Sequence, residues 1–208
     1  MGTDDGSDDE GAARAERILD SAAALAREGG FEAVRIRDVA ARANVALGTL
    51  YKRFAGKDEI LLAVLDREFE RLERSRVTFG TRGRTYVERA LGFFEPVTAF
   101  LCAQERFTGA VLRAVLSGEA GLAAQVGRFH ARVTALIADA LGAGGAGPPA
   151  DEARALDADA VSQLAYILAQ IWFAALVGWM GGLLTPAELV ERVRSAAALL
   201  VRGLQTAA

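Results

Sequence analysis

The chain has 208 residues, of which 52% are hydrophobic and 25% are charged. That length and apolar content are sufficient for one large domain or for a small domain joined to a larger one. A single cysteine, Cys102, excludes an internal disulfide framework and a zinc site built from cysteine pairs, and a single histidine, His130, excludes a histidine-rich metal site within one chain. We therefore expect no metal and no cofactor.

The first ten residues, MGTDDGSDDE, carry five acids and no bases. A secretory signal needs a positive start followed by an apolar stretch, and this segment has neither. We therefore predict that residues 1–11 form a disordered acidic tail and that the protein is cytoplasmic.

Apolar residues then recur at helical spacing, and no window alternates with period two for long enough to form a strand. The first helix closes at the pair Gly29-Gly30. A very short second helix over residues 37–43 ends at Asn44, a residue that tolerates the left-handed conformation of a tight turn. The segment VALGTLYKRF forms a third helix, which Gly56 ends.

Behind this front part, apolar patterns predict six more helices: one at 58–76, three between 86 and 141 with breaks near Pro96, at 104–108 and at 118–121, and two at about 155–181 and 186–204. The segment GAGGAGPPA, residues 142–150, is predicted to be a loop. We therefore expect an all-α fold of about nine helices.

Positive charge is concentrated in the front part, although the whole chain has a net charge of −3. Residues 31–57 carry six cations and two acids, and they include the only two lysines of the chain. A helical wheel of VALGTLYKRF separates two faces: an apolar one with Leu47, Leu50, Tyr51 and Phe54, and a small, cationic one with Gly48, Thr49, Lys52 and Arg53. We predict that the apolar face packs on the preceding helices and that the cationic face suits a DNA groove.

The short second helix, the turn at Asn44 and the third helix have the layout of a helix-turn-helix. Lys57, at the start of the next helix, can meet a phosphate beside free backbone N–H groups. A basic but purely structural three-helix core has the same periodicity, so periodicity alone leaves both interpretations open.

The segment IRDVAARANVALGTLYKRFAGKDEIL resembles the DNA-binding signature of the TetR family of transcriptional regulators. The resemblance is close over about residues 18–72 and elsewhere covers only helical layout and length. It implies that Gly48 and Thr49 face bases and that Tyr51 and Lys57 hold phosphates. The full set of predicted DNA-binding residues is Arg37, Arg42, Ala46, Leu47, Gly48, Thr49, Tyr51, Lys52, Arg53 and Lys57.

Three residues depart from the family pattern. Asn44 stands where Gly is common, Ala46 where Ser often caps the helix, and Leu47 where Lys is frequent. Losing the cap removes about 1 kcal/mol of stabilisation from the helix end. The wheel places Leu47 inward, whereas the family position usually faces DNA; if exposed, Leu47 can contact a thymine methyl group.

The resemblance divides the chain into a helix-turn-helix DNA-binding domain at 12–57 and a ligand-binding and dimerisation domain at 58–208, in which 58–76 is the connecting helix. It also implies a homodimer whose last two helices form the interface, with Ile171, Ala174 and Gly178 as a candidate stripe. A dimer suits a palindromic site, because it presents two DNA-reading helices.

Residues 160–187 carry no charge, and this uncharged stretch is long enough for a membrane span. Ser162, Gln163 and Gln170 instead favour a buried helix of a bundle, so we expect no membrane insertion. The alternative that remains is a helical membrane-associated or ligand-binding protein without DNA function.

We expect that the protein is not an enzyme and that it has no catalytic residue. GAGGAG matches G-x-G-x-x-G, yet a helical pattern precedes it and Pro148-Pro149 follows, where a dinucleotide site needs a strand and then a helix. His130, beside Phe129, indicates packing or a hydrogen bond within a pocket rather than catalysis.

Family members commonly hold a ligand cavity in the second domain, and apolar linings suit a hydrophobic molecule or an acyl chain. The candidate pocket residues are Phe93, Phe94, Phe107, Phe129, Tyr166, Trp172 and Phe173, for each of which ordinary core packing is the alternative. Three features resemble one branch of the family, the repressors of actinobacterial steroid and lipid catabolism, whose effectors are acyl-CoA thioesters. They are VALGTLY, the tryptophan-containing end of the penultimate helix and the following TPAELV. We therefore predict a repressor that a small hydrophobic or acyl-CoA-like effector releases from DNA, with an activator of the same fold as the rival.

Overall fold

The structure, a computed structural model, describes residues 5–74, 83–143, 147–152 and 154–207. Within those ranges the chain forms α-helices, one short 3-10 turn at Ala120–Leu122, and no β-strand, so the predicted all-α fold is confirmed. The helices are α1 (Asp5–Ala33), α2 (Ile36–Arg42), α3 (Leu47–Arg53), α4 (Lys57–Arg74), α5 (Tyr86–Cys102), α6 (Glu105–Val115), α7 (Ala123–Leu141), α8 (Ala158–Met180) and α9 (Pro186–Ala207).

Two compact units divide the chain. The first comprises Met1–Ser75 and Gln104–Val126, and the second comprises Arg76–Ala103 and Gly127–Ala208. The connecting helix α4 and the helix α6 therefore pack with the front of the chain. The predicted boundary after residue 57 concerns what each part binds, and it stays a prediction.

Helix α1 begins at Asp5, which corrects the expected disordered tail from that residue onward; residues 1–4 lie outside the described part. The physical reason is that carboxylates near a helix N-terminus interact favourably with the helix dipole. An ion pair between Glu10 and Arg14, 2.7 Å apart, adds a contact one turn further on. The predicted break at the glycine pair is confirmed: Gly30 has φ 69° and ψ −160°, a region open to glycine alone.

The core of the first unit lies where α1, α4 and α6 pack against one another. Its buried side chains include Ile18 and Ala22 of α1, Leu61 and Leu65 of α4, and Phe107 and Val111 of α6. The side chain of Arg67, only 4% exposed, lies 2.9 Å from the Asp20 carboxylate and 3.1 Å from that of Glu16. This buried cation joins α4 to α1.

In the second unit, α9 packs against both α5 and α8. Buried Phe93 and Phe94 of α5 and Trp172 of α8 fill its core, and the indole N–H of Trp172 donates a 2.9 Å hydrogen bond to the Thr98 hydroxyl. Helix α5 runs through Pro96, so the predicted break there is wrong. Proline removes only one helical hydrogen bond, and the apolar residues before and after it are buried in the core.

Buried Arg89 of α5 organises the segment that follows α7. Its guanidinium donates hydrogen bonds to three backbone carbonyls: Gly83 at 3.0 Å, Leu141 at 3.2 Å and Gly147 at 2.6 Å. The described ends of the predicted loop at 142–150 are non-helical, as expected, and residues 144–146 lie outside the described part. A cation at the end of α7 also interacts favourably with the helix dipole.

Of the described residues, α8 alone forms a helix long and apolar enough to cross a membrane by length and composition. Its side chains at Val161, Leu164, Leu168 and Trp172 are buried against the rest of its unit. The buried core helix of a bundle has the same length and composition, so these two properties of α8 do not by themselves indicate a membrane span.

Candidate DNA-binding site and ligand cavity

The turn between α2 and α3 is held by backbone hydrogen bonds. The amide of Asn44 donates to the Ala41 carbonyl (3.2 Å) and the amide of Val45 donates to the Ala40 carbonyl (3.0 Å). Asn44 has φ 53° and is the only described residue other than glycine with a positive φ, so the predicted left-handed turn is confirmed. Asparagine tolerates this conformation better than most residues.

Helix α3 begins without a side-chain cap. Ala46, its N-cap residue, makes no side-chain hydrogen bond, and only its carbonyl is used, accepting from the amides of Thr49 (2.9 Å) and Leu50 (3.2 Å). A helix of seven residues is unstable by itself. The burial of Leu50 and Phe54 against the first unit therefore stabilises α3.

The apolar face of α3 is narrower than the wheel predicts. Leu50 is fully buried and Phe54 nearly so, but Tyr51 is 55% exposed, so its predicted packing is wrong. Leu47 is half-buried, between the two alternatives that the sequence left open. The reason is that α2, on which α3 packs, is itself only seven residues long and cannot cover a broad arc.

Gly48 lies on the exposed side of α3. A Cβ atom built at this position meets no other atom within 4 Å, so the packing of the chain does not require a glycine here. Glycine within a helix costs about 1 kcal/mol relative to alanine. The residue therefore leaves room for a partner to approach the backbone.

The predicted cations differ in their surroundings. Lys52, Arg53 and Arg37 are exposed to solvent. Arg42 instead forms a two-pronged pair with the Glu28 carboxylate, at 2.7 and 2.8 Å, which raises the pKa of Arg42 and lowers the pKa of Glu28. Arg42 must exchange this carboxylate for a phosphate if it is to bind DNA.

Lys57 belongs to a cluster that the sequence did not reveal. Its ammonium lies 3.7 Å from the centroid of the Phe31 ring and 3.9 Å from the Glu32 carboxylate. Arg113 of α6 approaches the same ring at 4.2 Å and the same carboxylate at 2.8 Å. Lys57 is the first residue of α4, in the turn where a helix leaves its backbone N–H groups without partners inside the helix. No spacing in the sequence links Arg113 to this position.

The seven candidate pocket residues lie in different surroundings, and their role in a pocket stays a prediction. Phe93, Phe94 and Trp172 are packed in the core of the second unit, whereas Phe107 belongs to the first unit. Tyr166 is 57% exposed. Large aromatic rings fill space when they are buried, so an aromatic pattern predicts core more readily than cavity.

A cavity of about 580 Å³ lies along α7 and α8 instead. Only Tyr166 among its lining residues was a candidate pocket residue. The full lining is Gly127, His130, Ala131, Thr134, Ala135, Ala138, Asp139, Ser162 and Tyr166. Small residues on one face of α7 leave this space open, and ligand pockets have volumes of this order. A narrower cavity of about 20 Å³ is lined in part by Phe129, Trp172 and Phe173.

The candidate dimer stripe is only partly on the surface. Ala174 is exposed, whereas Ile171 and Gly178 are half-buried. A Cβ atom at Gly178 would lie 3.3 Å from Leu184, so this glycine packs against its own chain. The large exposed apolar side chains of α8 and α9 are Tyr166, Ile167, Val177 and Leu199.

Residues 18–64 match the family of bacterial regulatory proteins named tetR. The chain is 32% identical, over 97% of its length and 89% of the relative's, to the HTH-type transcriptional repressor KstR of Rhodococcus jostii. A TetR transcriptional regulator from Rhodococcus sp. RHA1 has a similar fold, with a TM-score of 0.75 and 22% identity over 92% of this chain and 97% of that one. Thermus thermophilus FadR, solved in complex with lauroyl-CoA, has a TM-score of 0.63 and 21% identity over 91% of this chain and 94% of its own. The chain therefore belongs to the TetR family of bacterial transcriptional regulators.

Proposed function

We propose that this regulator is a repressor, that it binds a palindromic operator as a homodimer, and that a small apolar or acyl-CoA-like effector releases it. The observation that carries the proposal is the exposed face of α3, where the open position at Gly48 lies beside exposed Lys52 and Arg53. Repression is favoured over activation because the KstR relative is a repressor.

The proposed contacts follow from exposure and chemistry. Gly48 allows close approach of the groove, and the Thr49 side chain contacts a base edge. Exposed Tyr51 and the cation of Lys57 hold phosphates on either side. Leu47, half-buried and uncharged, adds an apolar contact at the start of α3.

The dimer is proposed from the outer surfaces of α8 and α9. Ile167, Val177 and Leu199 are exposed there, and residues 160–187 carry no charge. Interface cores are depleted in charged residues. A twofold arrangement would present two copies of α3 to successive turns of a palindromic site, about 34 Å apart.

The proposed effector class rests on the cavity along α7 and α8 and on the lauroyl-CoA bound to FadR of T. thermophilus. The KstR relative supports the predicted branch of repressors of actinobacterial steroid and lipid catabolism. An effector that binds better to a dimer whose α3 helices are wrongly spaced lowers DNA affinity by population shift. The proposal includes a cytoplasmic location, no membrane insertion and no catalytic role.

Selection from a random double-stranded DNA library tests the DNA-binding part. We expect a palindromic sequence to be enriched and its affinity to fall steeply with salt, because each neutralised phosphate releases counterions. Failure to enrich any sequence at low salt, with and without extracted lipids, would show that the proposed function is wrong.

The effector and the sign of regulation are tested separately. Lauroyl-CoA is expected to lower the affinity for the selected DNA; an unchanged affinity removes the acyl-CoA class and leaves the DNA-binding proposal standing. A reporter gene placed behind the selected operator is expected to rise in expression when the regulator is absent. A fall in expression would instead identify an activator.

A further inference from the structure

His130 is a polar side chain in an apolar part of the second unit. It lies on α7, with its ring centroid 6.1 Å from that of Phe129 and 5.4 Å from that of Phe173. Its Nε2 atom is shielded from solvent and has no hydrogen-bond partner among the described residues. Buried polar atoms in folded proteins are nearly always paired, with protein or with water, so this one is available to a partner from outside the chain, either water or a ligand.

The position of His130 shows where such a partner would sit. The residue lines both the cavity of about 580 Å³ along α7 and α8 and the narrow aromatic cavity of about 20 Å³. The wider cavity is open because α7 presents small residues, among them Ala131 and Ala135. A Cβ atom at Gly127 meets no atom within 4 Å, so the glycine there is not required by packing within the chain.

We propose that the wider cavity holds the apolar effector and that the His130 ring turns toward it, so that Nε2 hydrogen bonds to an uncharged oxygen on the effector, a hydroxyl or a carbonyl. The inference rests on the proposed function, in which the second unit binds an effector, and it adds the chemical group that is recognised. The hydrocarbon part of the ligand lies along the small residues of α7. Ser162 and Tyr166 face it from α8.

An uncharged oxygen suits this site better than a carboxylate. Burial lowers the pKa of His130, so the ring is neutral at pH 7 and carries one N–H donor and one acceptor nitrogen. A hydroxyl fits Nε2 in either tautomer, and a carbonyl fits it when Nε2 is protonated. Asp139, which lines the same cavity, disfavours a carboxylate placed next to it.

The single histidine of the chain allows a direct test by NMR. The full chain is labelled with ¹⁵N at histidine and titrated with 2-naphthol and, separately, with naphthalene, which differ only in the hydroxyl. We expect 2-naphthol to shift the Nε2 resonance and naphthalene to leave it nearly unchanged. Equal shifts, or no shift with 2-naphthol, would overturn the inference.

Variants test the same contact by affinity. His130→Phe keeps an aromatic ring without nitrogen, and it is expected to weaken 2-naphthol binding about 2- to 10-fold, the range of one hydrogen bond, without affecting naphthalene. His130→Gln is expected to restore part of the difference. Ser195→Ala, on α9 and outside the cavity, is the matched control and should leave both affinities unchanged. Ser162→Ala tests the other hydroxyl group that faces the ligand. A loss in Ser162→Ala but not in His130→Phe would assign the hydroxyl to Ser162 and overturn the inference.

Two controls separate this inference from the proposed function. Circular dichroism shows whether His130→Phe folds; if it does not, His130→Gln and the NMR titration of the parent decide. A parent chain that selects DNA but shows no Nε2 shift refutes only the ligand contact. A parent chain that selects no DNA refutes the proposed function, whatever the titration shows.

Discussion

The exposed face of α3 and the cavity along α7 and α8 are alike in one respect. Each contains a glycine, Gly48 or Gly127, at which a Cβ atom would meet nothing within 4 Å. They differ in how the space arises. The space over Gly48 is outside a short helix and follows from local sequence, whereas the space over Gly127 follows from the packing of two long helices. A surface site can therefore be recognised from a short segment, and a cavity cannot.

Their charged groups also differ. The α3 face carries Lys52 and Arg53, which are exposed. The second unit instead buries Arg89, whose guanidinium binds three backbone carbonyls. We expect substitutions of the exposed cations to affect DNA binding and not folding. Substitution of the buried cation Arg89 is expected to affect folding.

The largest expected effect on stability comes from Arg89→Met. The change leaves the Leu141 and Gly147 carbonyls without their charged donor, so the free energy of unfolding should fall by about 3 kcal/mol. Lys52→Met is the control, with an expected change within about 0.5 kcal/mol. Urea denaturation measures both, and equal losses in the two variants would remove the distinction between the two kinds of cation.

Gly48→Ala is expected to weaken DNA binding without lowering the free energy of unfolding. The added methyl has open space in the free protein, and the free energy of unfolding should stay the same or rise by up to about 1 kcal/mol. Affinity for the selected operator should fall at least about 10-fold, because the methyl intrudes where the groove approaches. Gly11→Ala in α1, also with open space, is the control and should bind DNA like the parent. Unchanged affinity in Gly48→Ala would contradict close approach at this position.

Lys57→Ala tests the phosphate contact. Affinity should fall about 10-fold for every DNA sequence alike, and the slope of log affinity against log salt should decrease by about one. Arg113→Ala removes the other cation on the Phe31 ring and keeps Lys57, so its salt slope should match that of the parent. Fluorescence anisotropy over a salt series measures both slopes, and the same slope in all three proteins would exclude Lys57 from the interface.

Thr49→Ala should change sequence preference rather than overall affinity. Loss of its contact with a base edge is expected to cost about 1 kcal/mol at one operator position and little elsewhere. Binding to a set of single-base operator variants measures this. If the variant binds all of them in parallel with the parent, Thr49 does not read a base.

The smallest expected effect concerns the pair between Arg42 and Glu28. DNA phosphate must compete with this carboxylate, so Glu28→Gln should strengthen operator binding about twofold. Asp151→Asn breaks the comparable exposed pair with Arg84 in the second unit and should leave DNA binding unchanged. Weaker binding in Glu28→Gln would indicate that Glu28 positions Arg42 instead of competing for it.

Two predictions from the sequence were wrong because they did not include the side chains that pack against the helix. The wheel of α3 placed Tyr51 with Leu50 and Phe54, but only Leu50 and Phe54 are buried. A break was predicted at Pro96, where buried neighbours keep α5 helical. In both cases the prediction used one segment of sequence alone, and the side chains that pack around that segment decided the outcome.

The candidate pocket is a further example. The sequence singled out aromatic residues, and the structure buries three of them, Phe93, Phe94 and Trp172, in the core. The small residues that line the cavity carry little signal in a chain rich in alanine and glycine. The contacts of Lys57 with Phe31 and of Arg113 with Glu32 likewise join positions that no local pattern connects.

The sequence by itself determined the all-α class, the helix-turn-helix with its left-handed Asn44, and the family, because these depend on helical period and on residues close together in the chain. Only the tertiary structure decided that Tyr51 is exposed, that Arg89 is buried, and that a cavity of about 580 Å³ lies beside His130. These features depend on which helices meet and on how far their side chains reach. Burial and cavity volume are properties of packed pairs of helices, and a single segment does not encode them.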